Sequence, residues 1–305
     1  MNRSAIASLL AVVCACASAA SAASADELES ATLRKIRDTG TIVLGVREAA
    51  VPFSYFADGE HATGYSQDVA LRIVDAVRTT LGLPGLQVRE VPVTAQDRIQ
   101  LVQNGSVDLE CSTTTHTRER DAEVAFSNSI FVYGVRMLVK RGSPVKEFED
   151  LAGHTVVTTT GTSEERLLRR WNLERGMNMR IIVAKTHAAS FDEVKTGRAA
   201  AFVMDEPLLY GALASGRDGN DSRDYAIVGK PVSSEVYACM FRRGDDDFKH
   251  LADNVVAKLQ RSGEADTLYQ RWFETPIPPT GVNLQMPMSA PLKALFANPN
   301  DRPLD

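Results

Sequence analysis

The chain is short of the groups that metal and redox chemistry need. Four cysteines occur in 305 residues, and beyond residue 25 only Cys111 and Cys239 remain, with no Cys-x-x-Cys pair for a thiolate metal site or a dithiol redox couple. The five histidines, His61, His116, His154, His187 and His250, have no metal-ligand spacing. Nucleotide and hydrolase signatures are absent as well: no G-x-S-x-G, H-E-x-x-H, G-x-x-x-x-G-K or G-x-G-x-x-G. Gly64-Tyr65-Ser66-Gln67-Asp68 resembles a nucleophile elbow only loosely, and Ser66 reads better as a helix cap. Basic charge is in deficit, with 34 Lys and Arg against 39 Asp and Glu, which argues against a nucleic-acid partner. No metal, no cofactor and no catalytic residue is expected.

What is present begins with an export signal. Arg3 supplies a positive start, residues 6–16 an apolar core, and Ala20-Ser21-Ala22 or Ala23-Ser24-Ala25 a small-residue cleavage site. The apolar run is too short for a membrane anchor. A lipoprotein signal at Cys14 or Cys16 is the rival reading. Residues 1–25 are therefore expected to be removed, which takes the formal charge from −5 to −6 by loss of Arg3. In an exported chain the remaining pair, Cys111 and Cys239, invites a disulfide; two buried thiols are the alternative.

Two stretches organise the rest. VDLECSTTTHTRER at 107–120 and VVTTTGTSEE at 156–165 each run from a short apolar strand into a burst of hydroxyls. The first ends on Arg120 and the second opens a helix, with Thr162, Ser163 and Glu165 forming a capping signal. Hydroxyls, a helix N-terminus and a guanidinium all donate hydrogen bonds, so the pair is suited to hold a carboxylate across a cleft.

The surrounding periodicity predicts helix at 28–39 stopped by Gly40, strand at 41–46, a helix capped by Ser66, strand at 87–91, helix at 97–103 and strand at 107–111. The pattern repeats as strand 155–159, helix 163–171, strand 181–184, helix 191–195 and strand 199–204. Such βαβαβ units imply parallel sheets. Apolar strands at 131–140 and 235–242 connect the halves, as expected of a hinged two-lobe protein. A helical tail at 247–273 is expected to pack back on the first half.

Ligands of open α/β sheets sit beyond the carboxyl ends of strands. Arg47, Arg98, Thr113, Thr114 and Arg120 hold such positions in the first half, and Gly161, Thr162, Ser163, His187 and Asp205 in the second. Three arginines and a helix N-terminus favour more than one negative charge, while Asp205 wants a cation. An α-amino acid with a second carboxylate meets both needs. Each residue also has a plain reading: a solvated arginine (Arg118 is left there), a packed histidine, an Asp205 that merely caps the next helix.

GVREAAVPFSYF, GYSQDVALRIVDAV, QDRIQLVQNGSVDLECSTTTHTRER, GTSEERLL, MNMRII, AFVMDEPLLYG and the final NPNDRPLD together resemble the glutamate/aspartate-binding periplasmic proteins, polar amino-acid solute-binding proteins (family 3) that feed ABC importers. The resemblance implies an α/β, two-lobed periplasmic-binding-protein fold of type II. Each lobe would be a mainly parallel sheet flanked by helices, with residues 26–136 and 238–305 in lobe 1, 137–237 in lobe 2, and two hinge strands between. It implies a monomeric periplasmic protein that closes on L-glutamate or L-aspartate and delivers it to inner-membrane ABC permease subunits. Arg120 would grip the α-carboxylate with Thr113, Thr162 and Ser163; Asp205 would meet the ammonium group; Arg47 and Arg98, with His187 nearby, would hold the side-chain carboxylate. The pattern departs at Ala95, where family members often carry a serine. The alternatives are a periplasmic enzyme on the same scaffold, of the cyclohexadienyl-dehydratase kind, and a ligand-sensing module for a separate receptor.

Overall fold

The computed structural model describes residues 30–215 and 223–303; the expected leader and its Cys14 and Cys16 lie outside them. The first helix, α1 (Ala31–Thr39), is capped by Ser30, whose side chain accepts from the Leu33 N–H, and is stopped by Gly40 at φ 63°. It leads into β1 (Thr41–Val46), which pairs in parallel with β2 (Gln87–Pro92) and β3 (Leu109–Glu110). Between β1 and β2 lies α2 (Tyr65–Thr80), whose Val69, Ile73, Val74 and Val77 are buried at helical spacing.

Ser66 is not the cap of that helix. Gly64 holds the position at φ 130°, because a Cβ there would lie 2.3 Å from the Phe53 carbonyl oxygen. The Ser66 hydroxyl donates instead to the Ser112 carbonyl at 2.7 Å.

After the short α3 (Arg98–Gln103) and β3, the chain forms β4 (Ala125–Tyr133), breaks at Gly134 and resumes as β5 (Val135–Lys140) in a different sheet. The single strand expected over 131–140 is thus two. The second sheet adds β6 (Thr155–Thr159), α4 (Ser163–Glu174), β7 (Arg180–Ala184), α5 (His187–Lys195), β8 (Ala201–Asp205), α6 (Glu206–Ala214) and β9 (Tyr225–Val228). The chain then returns to the first sheet as β10 (Glu235–Phe241). Strand order is β2-β1-β3-β10-β4 in the first sheet and β7-β6-β8-β5-β9 in the second.

The two orders are the same device used twice. In each sheet four strands run one way, and a single antiparallel strand sits fourth in the order: β10 in the first, β5 in the second. Those two strands carry the connections between lobes. The fold is therefore the two-lobed α/β arrangement, with parallel βαβ crossovers on one side of each sheet and an antiparallel pair on the other. The changeovers fall at Gly134 and between Val228 and Glu235, so Val135 and Arg136 lie in the second sheet and Glu235, Val236 and Tyr237 in the first. Gly134 is needed where the two connections pass, since a Cβ on it would sit 2.4 Å from Cβ of Pro231.

Phe53 is fully buried among aromatic side chains. Its ring makes edge contacts with Tyr65, Phe131, Tyr237 and Phe273 at centroid distances of 6.1, 5.0, 5.1 and 5.5 Å, the geometry that aromatic quadrupoles prefer. The tail helix α7 (Asp246–Arg261) packs on β4 of the first sheet, where Asp253 accepts from the Asn128 N–H and Gln260 donates to the Ser129 carbonyl. No described helix is long and apolar enough to cross a membrane. Cys111, just after β3, and Cys239, in β10, form a disulfide.

Candidate functional site

The carboxyl ends of the parallel strands in both sheets turn toward one cleft. Arg47 follows β1, Arg98 opens α3 after β2, and the hydroxyl burst follows β3. The burst alternates in its duties. Ser112 and Thr114 both donate to the buried Glu110 carboxylate, whereas Thr113 and Thr115 face the cleft. Arg120 sits in a one-turn helix (Arg118–Asp121) whose cap, Thr117, accepts from the Arg120 N–H. Arg118 is exposed.

From the second sheet, Thr162 and Ser163 stand at the N-terminus of α4. The expected capping box does not form. Glu165 accepts from the Gly161 N–H at 3.1 Å, but the Thr162 hydroxyl donates to the Thr159 carbonyl at 2.7 Å rather than accepting from the helix. His187 opens α5, which begins earlier than the expected 191 because Thr186 caps it. Asp205 occupies the cap position of α6 without making a side-chain cap bond. Its carboxylate instead accepts from the Tyr237 hydroxyl across the hinge.

Arg47, Arg98, Thr113, Thr162, Ser163, His187 and Asp205 line one small cavity, together with Thr115, Glu164, Met204 and Leu208. Arg120 lies beside it rather than on its wall. One of its terminal nitrogens donates to the Thr115 carbonyl at 2.7 Å and the other reaches Gly161 of the opposite lobe at 3.4 Å. A larger groove, about 690 Å³, runs between α1, α2 and α7 and holds none of the strand-end residues. Ala95 does not line the cavity; its backbone passes Gly161 so closely that a Cβ there would approach it to 2.9 Å.

The cavity is electrically divided. At one end burial, then the charge of Arg98, lowers Arg47 to about 10 and Arg120 to about 10, so both stay protonated near neutrality. Burial, followed by Arg47 and Arg98, lowers His187 to about 3, which leaves its imidazole neutral. Its Nδ1 meets the Thr159 hydroxyl at 2.9 Å, while Nε2 is buried without a partner. Nε and Nη1 of Arg98 and Nε of Arg120 are also buried and unpartnered.

At the other end burial, then Glu164, raises Asp205 well above the usual carboxylate range, and the same causes raise Glu235. Oδ1 of Asp205 and Oε2 of Glu164 have no partner. Ser163 joins the two lobes here, its hydroxyl lying within hydrogen-bonding distance of Glu164 at 2.9 Å, of Glu235 at 3.2 Å and of Thr115 of the first lobe at 3.0 Å. Tyr133 donates to Glu235 at 3.0 Å.

Thr115, Glu164, Glu235, Tyr133 and Tyr237 were not among the residues expected from sequence. Thr115 carries a usable signal, since it lies two residues beyond Thr113 and so on the same face of extended chain. Glu164 carries none, because an acidic residue in the first turn of a helix is the ordinary response to the helix dipole. Among the described residues no group of three or more His, Cys, Asp or Glu is arranged to hold a metal ion.

Unmatched buried donors at one end and unmatched acceptors at the other are what a zwitterionic solute with extra negative charge would satisfy. Comparison with known proteins points to the same chemistry. The chain is 47% identical over 274 residues to the glutamate/aspartate import solute-binding protein of Salmonella typhimurium, covering 90% of each chain. It is 48% identical over 279 residues to the L-glutamate/L-aspartate-binding protein of Pseudomonas aeruginosa, covering 91% of each. A crystal structure of a mutant ArgBP from T. maritima superposes with a TM-score of 0.70 at 26% identity, covering 80% of this chain and 99% of that one. Residues 42–275 match the pattern of one family throughout, and the chain belongs to it: the bacterial extracellular solute-binding proteins, family 3.

Proposed function

We propose that this protein binds L-glutamate and L-aspartate between its two lobes and delivers them, as a periplasmic monomer, to the inner-membrane permease of an ABC importer. One observation carries the reading: buried guanidiniums and a neutral histidine with unused donors at one end of the cavity, and buried carboxyls with unused oxygens at the other. The names of the relatives support the ligand and the import role, and the N-terminal leader read from sequence supports the location.

In this reading Arg120 takes the α-carboxylate, with Thr113 and the α4 N-terminus at Thr162 and Ser163, where backbone N–H groups and the helix dipole favour an anion. Asp205 takes the ammonium group. Arg47, Arg98 and His187 take the side-chain carboxylate, and guanidinium suits that task because it pairs with a carboxylate through two parallel hydrogen bonds. Both lobes contribute, so the ligand favours the closed form by its differential affinity. An enzymatic role is set aside, since the relatives are named as binding proteins.

The test is calorimetric titration of ligand-stripped protein with L-glutamate, L-aspartate, L-glutamine and succinate. The two acidic amino acids are expected to bind more tightly than either control by about 2–5 kcal/mol, the usual loss when a buried charge is left unpaired. Glutamine binding best would overturn the Arg47–Arg98 assignment. Binding of none of the four would overturn the proposal.

A further inference from the structure

His116 is the one histidine of the hydroxyl burst at 107–120, and the ligand reading gives it no part. It follows Thr115, which faces the cleft, and its own side chain is buried on the other side at 3% exposure. The imidazole stacks on Phe126 of β4 at a centroid distance of 4.2 Å and an interplanar angle of 22°. Its Nε2 meets Asp121 Oδ1 at 2.7 Å, while Nδ1 is buried without a partner. A carboxylate only accepts, so Nε2 carries the proton of this bond.

The bond closes a loop around Arg120. His116 and Asp121 stand at the two ends of the turn, with Arg120 between them. The His116 end is fixed to the hinge strand β10: its N–H donates to the Val236 carbonyl at 2.9 Å, and Thr115 pairs with Tyr237. The Asp121 N–H donates to the Thr117 carbonyl at 3.0 Å. The Arg120 guanidinium reaches the backbone carbonyls of Thr115 and Gly161, and its Nε has no partner. Its aim therefore depends on where the turn sets it.

We propose that His116 and Asp121 clasp this turn and position the Arg120 guanidinium for the α-carboxylate of the ligand. The proposal rests on the role given to Arg120 above, and it makes His116 and Asp121 positioning residues rather than ligand contacts. Without the clasp the turn keeps its backbone bonds but gains freedom at Asp121. A guanidinium displaced by about 1 Å no longer meets both carboxylate oxygens squarely.

Titration with L-glutamate and with its α-amide separates positioning from packing. The α-amide keeps the ammonium group and the side-chain carboxylate but offers Arg120 no charge. His116→Leu keeps an apolar body against Phe126, and Asp121→Ala removes a side chain that is 41% exposed. Both variants are therefore expected to melt near the parent temperature. Each should weaken glutamate about tenfold and the α-amide far less. His116→Gln, whose amide nitrogen can reach the place of Nε2, should keep glutamate affinity near that of the parent. In an Arg120→Lys protein, His116→Leu should bring no further loss. Unchanged glutamate affinity in His116→Leu and Asp121→Ala would overturn the clasp while leaving Arg120 its role. So would equal losses of glutamate and α-amide, or a full additional loss on top of Arg120→Lys. A parent that binds the α-amide as tightly as glutamate would overturn the role of Arg120, and the clasp with it.

Discussion

Gly211 in α6 and the carbonyl oxygen of Val51 approach so closely that a Cβ on the glycine would lie 1.9 Å from that oxygen. The two belong to opposite lobes, since Val51 lies on the loop after β1 and Gly211 in the helix after β8. Gly161 and the backbone of Ala95 make a similar approach farther along the cleft. The lobes thus approach through backbone at two places, beside the bridges made by Ser163, Arg120 and Asp205.

Gly211→Ala is therefore expected to hold the lobes ajar. The helix itself gains, because alanine is favoured over glycine inside a helix by about 1 kcal/mol. The melting temperature without ligand should hold or rise while acidic amino-acid affinity falls about ten- to a hundredfold, an energy of about 1.4–2.8 kcal/mol. Titration together with small-angle scattering checks this. Unchanged affinity and unchanged compaction on ligand addition would show that the contact does not limit closure.

Arg98→Ala tests the arginine end. Arg98 is 2% exposed and two of its nitrogens have no partner, so the unliganded protein keeps an expensive buried charge. Removing it should leave the unliganded fold as stable as before or more so. Glutamate binding should weaken by about 2–5 kcal/mol, with glutamine affected less. A titration giving wild-type glutamate affinity would take the side-chain carboxylate away from Arg98.

Much of this was readable in the chain. The β-branched runs at 41–46 and 155–159 are strands with those same bounds, because burial on both faces leaves a continuous apolar signature. The strand-end rule picked Arg47, Arg98, Thr113, Thr162, Ser163, His187 and Asp205, which line one cavity, and also Thr114, Arg120 and Gly161, which do not. Other features depended on distant approach. The strand expected at 107–111 shrinks to Leu109–Glu110, since Ser112 and Thr114 turn back to bond Glu110. Gly64 displaces Ser66 as a cap because of Phe53, and Gly134 splits an apolar run because of Pro231. The acidic end was the least legible, for Tyr133, Glu164, Asp205 and Glu235 meet only once the hinge strands have paired. Local pattern carries no trace of that pairing.

The Cys111–Cys239 disulfide joins residues 128 apart in sequence. Closing a loop of that length constrains the unfolded chain enough to contribute about 4–5 kcal/mol on the loop-entropy account. Neither sulfur lines the cavity. Replacing both cysteines by serine should lower the urea midpoint markedly and change ligand affinity little. A midpoint unmoved by the replacement, or by reductant in the parent protein, would show that the bond adds nothing to stability.

His187 sets the final expectation, on pH. Its folded-state value is about 3 against an ordinary 6.5, so between those limits the unfolded chain binds a proton that the folded protein refuses. Stability from this group is therefore complete above pH 6.5 and is lost as pH falls toward about 3. By pH 5 the loss reaches about 2 kcal/mol, at 1.36 kcal/mol per unit. Asp205 and Glu235 are raised instead and so act with the opposite sign, weakening the fold as pH climbs through their values. Their contribution cancels when the parent is compared with His187→Gln, which keeps a polar group near Thr159 but does not titrate. The difference in unfolding free energy between the two should shrink by about 2 kcal/mol from pH 7 to pH 5, the parent losing more. Parallel curves would mean that His187 titrates as freely in the folded protein as in the unfolded chain, and would remove the neutral imidazole from the description of the arginine end.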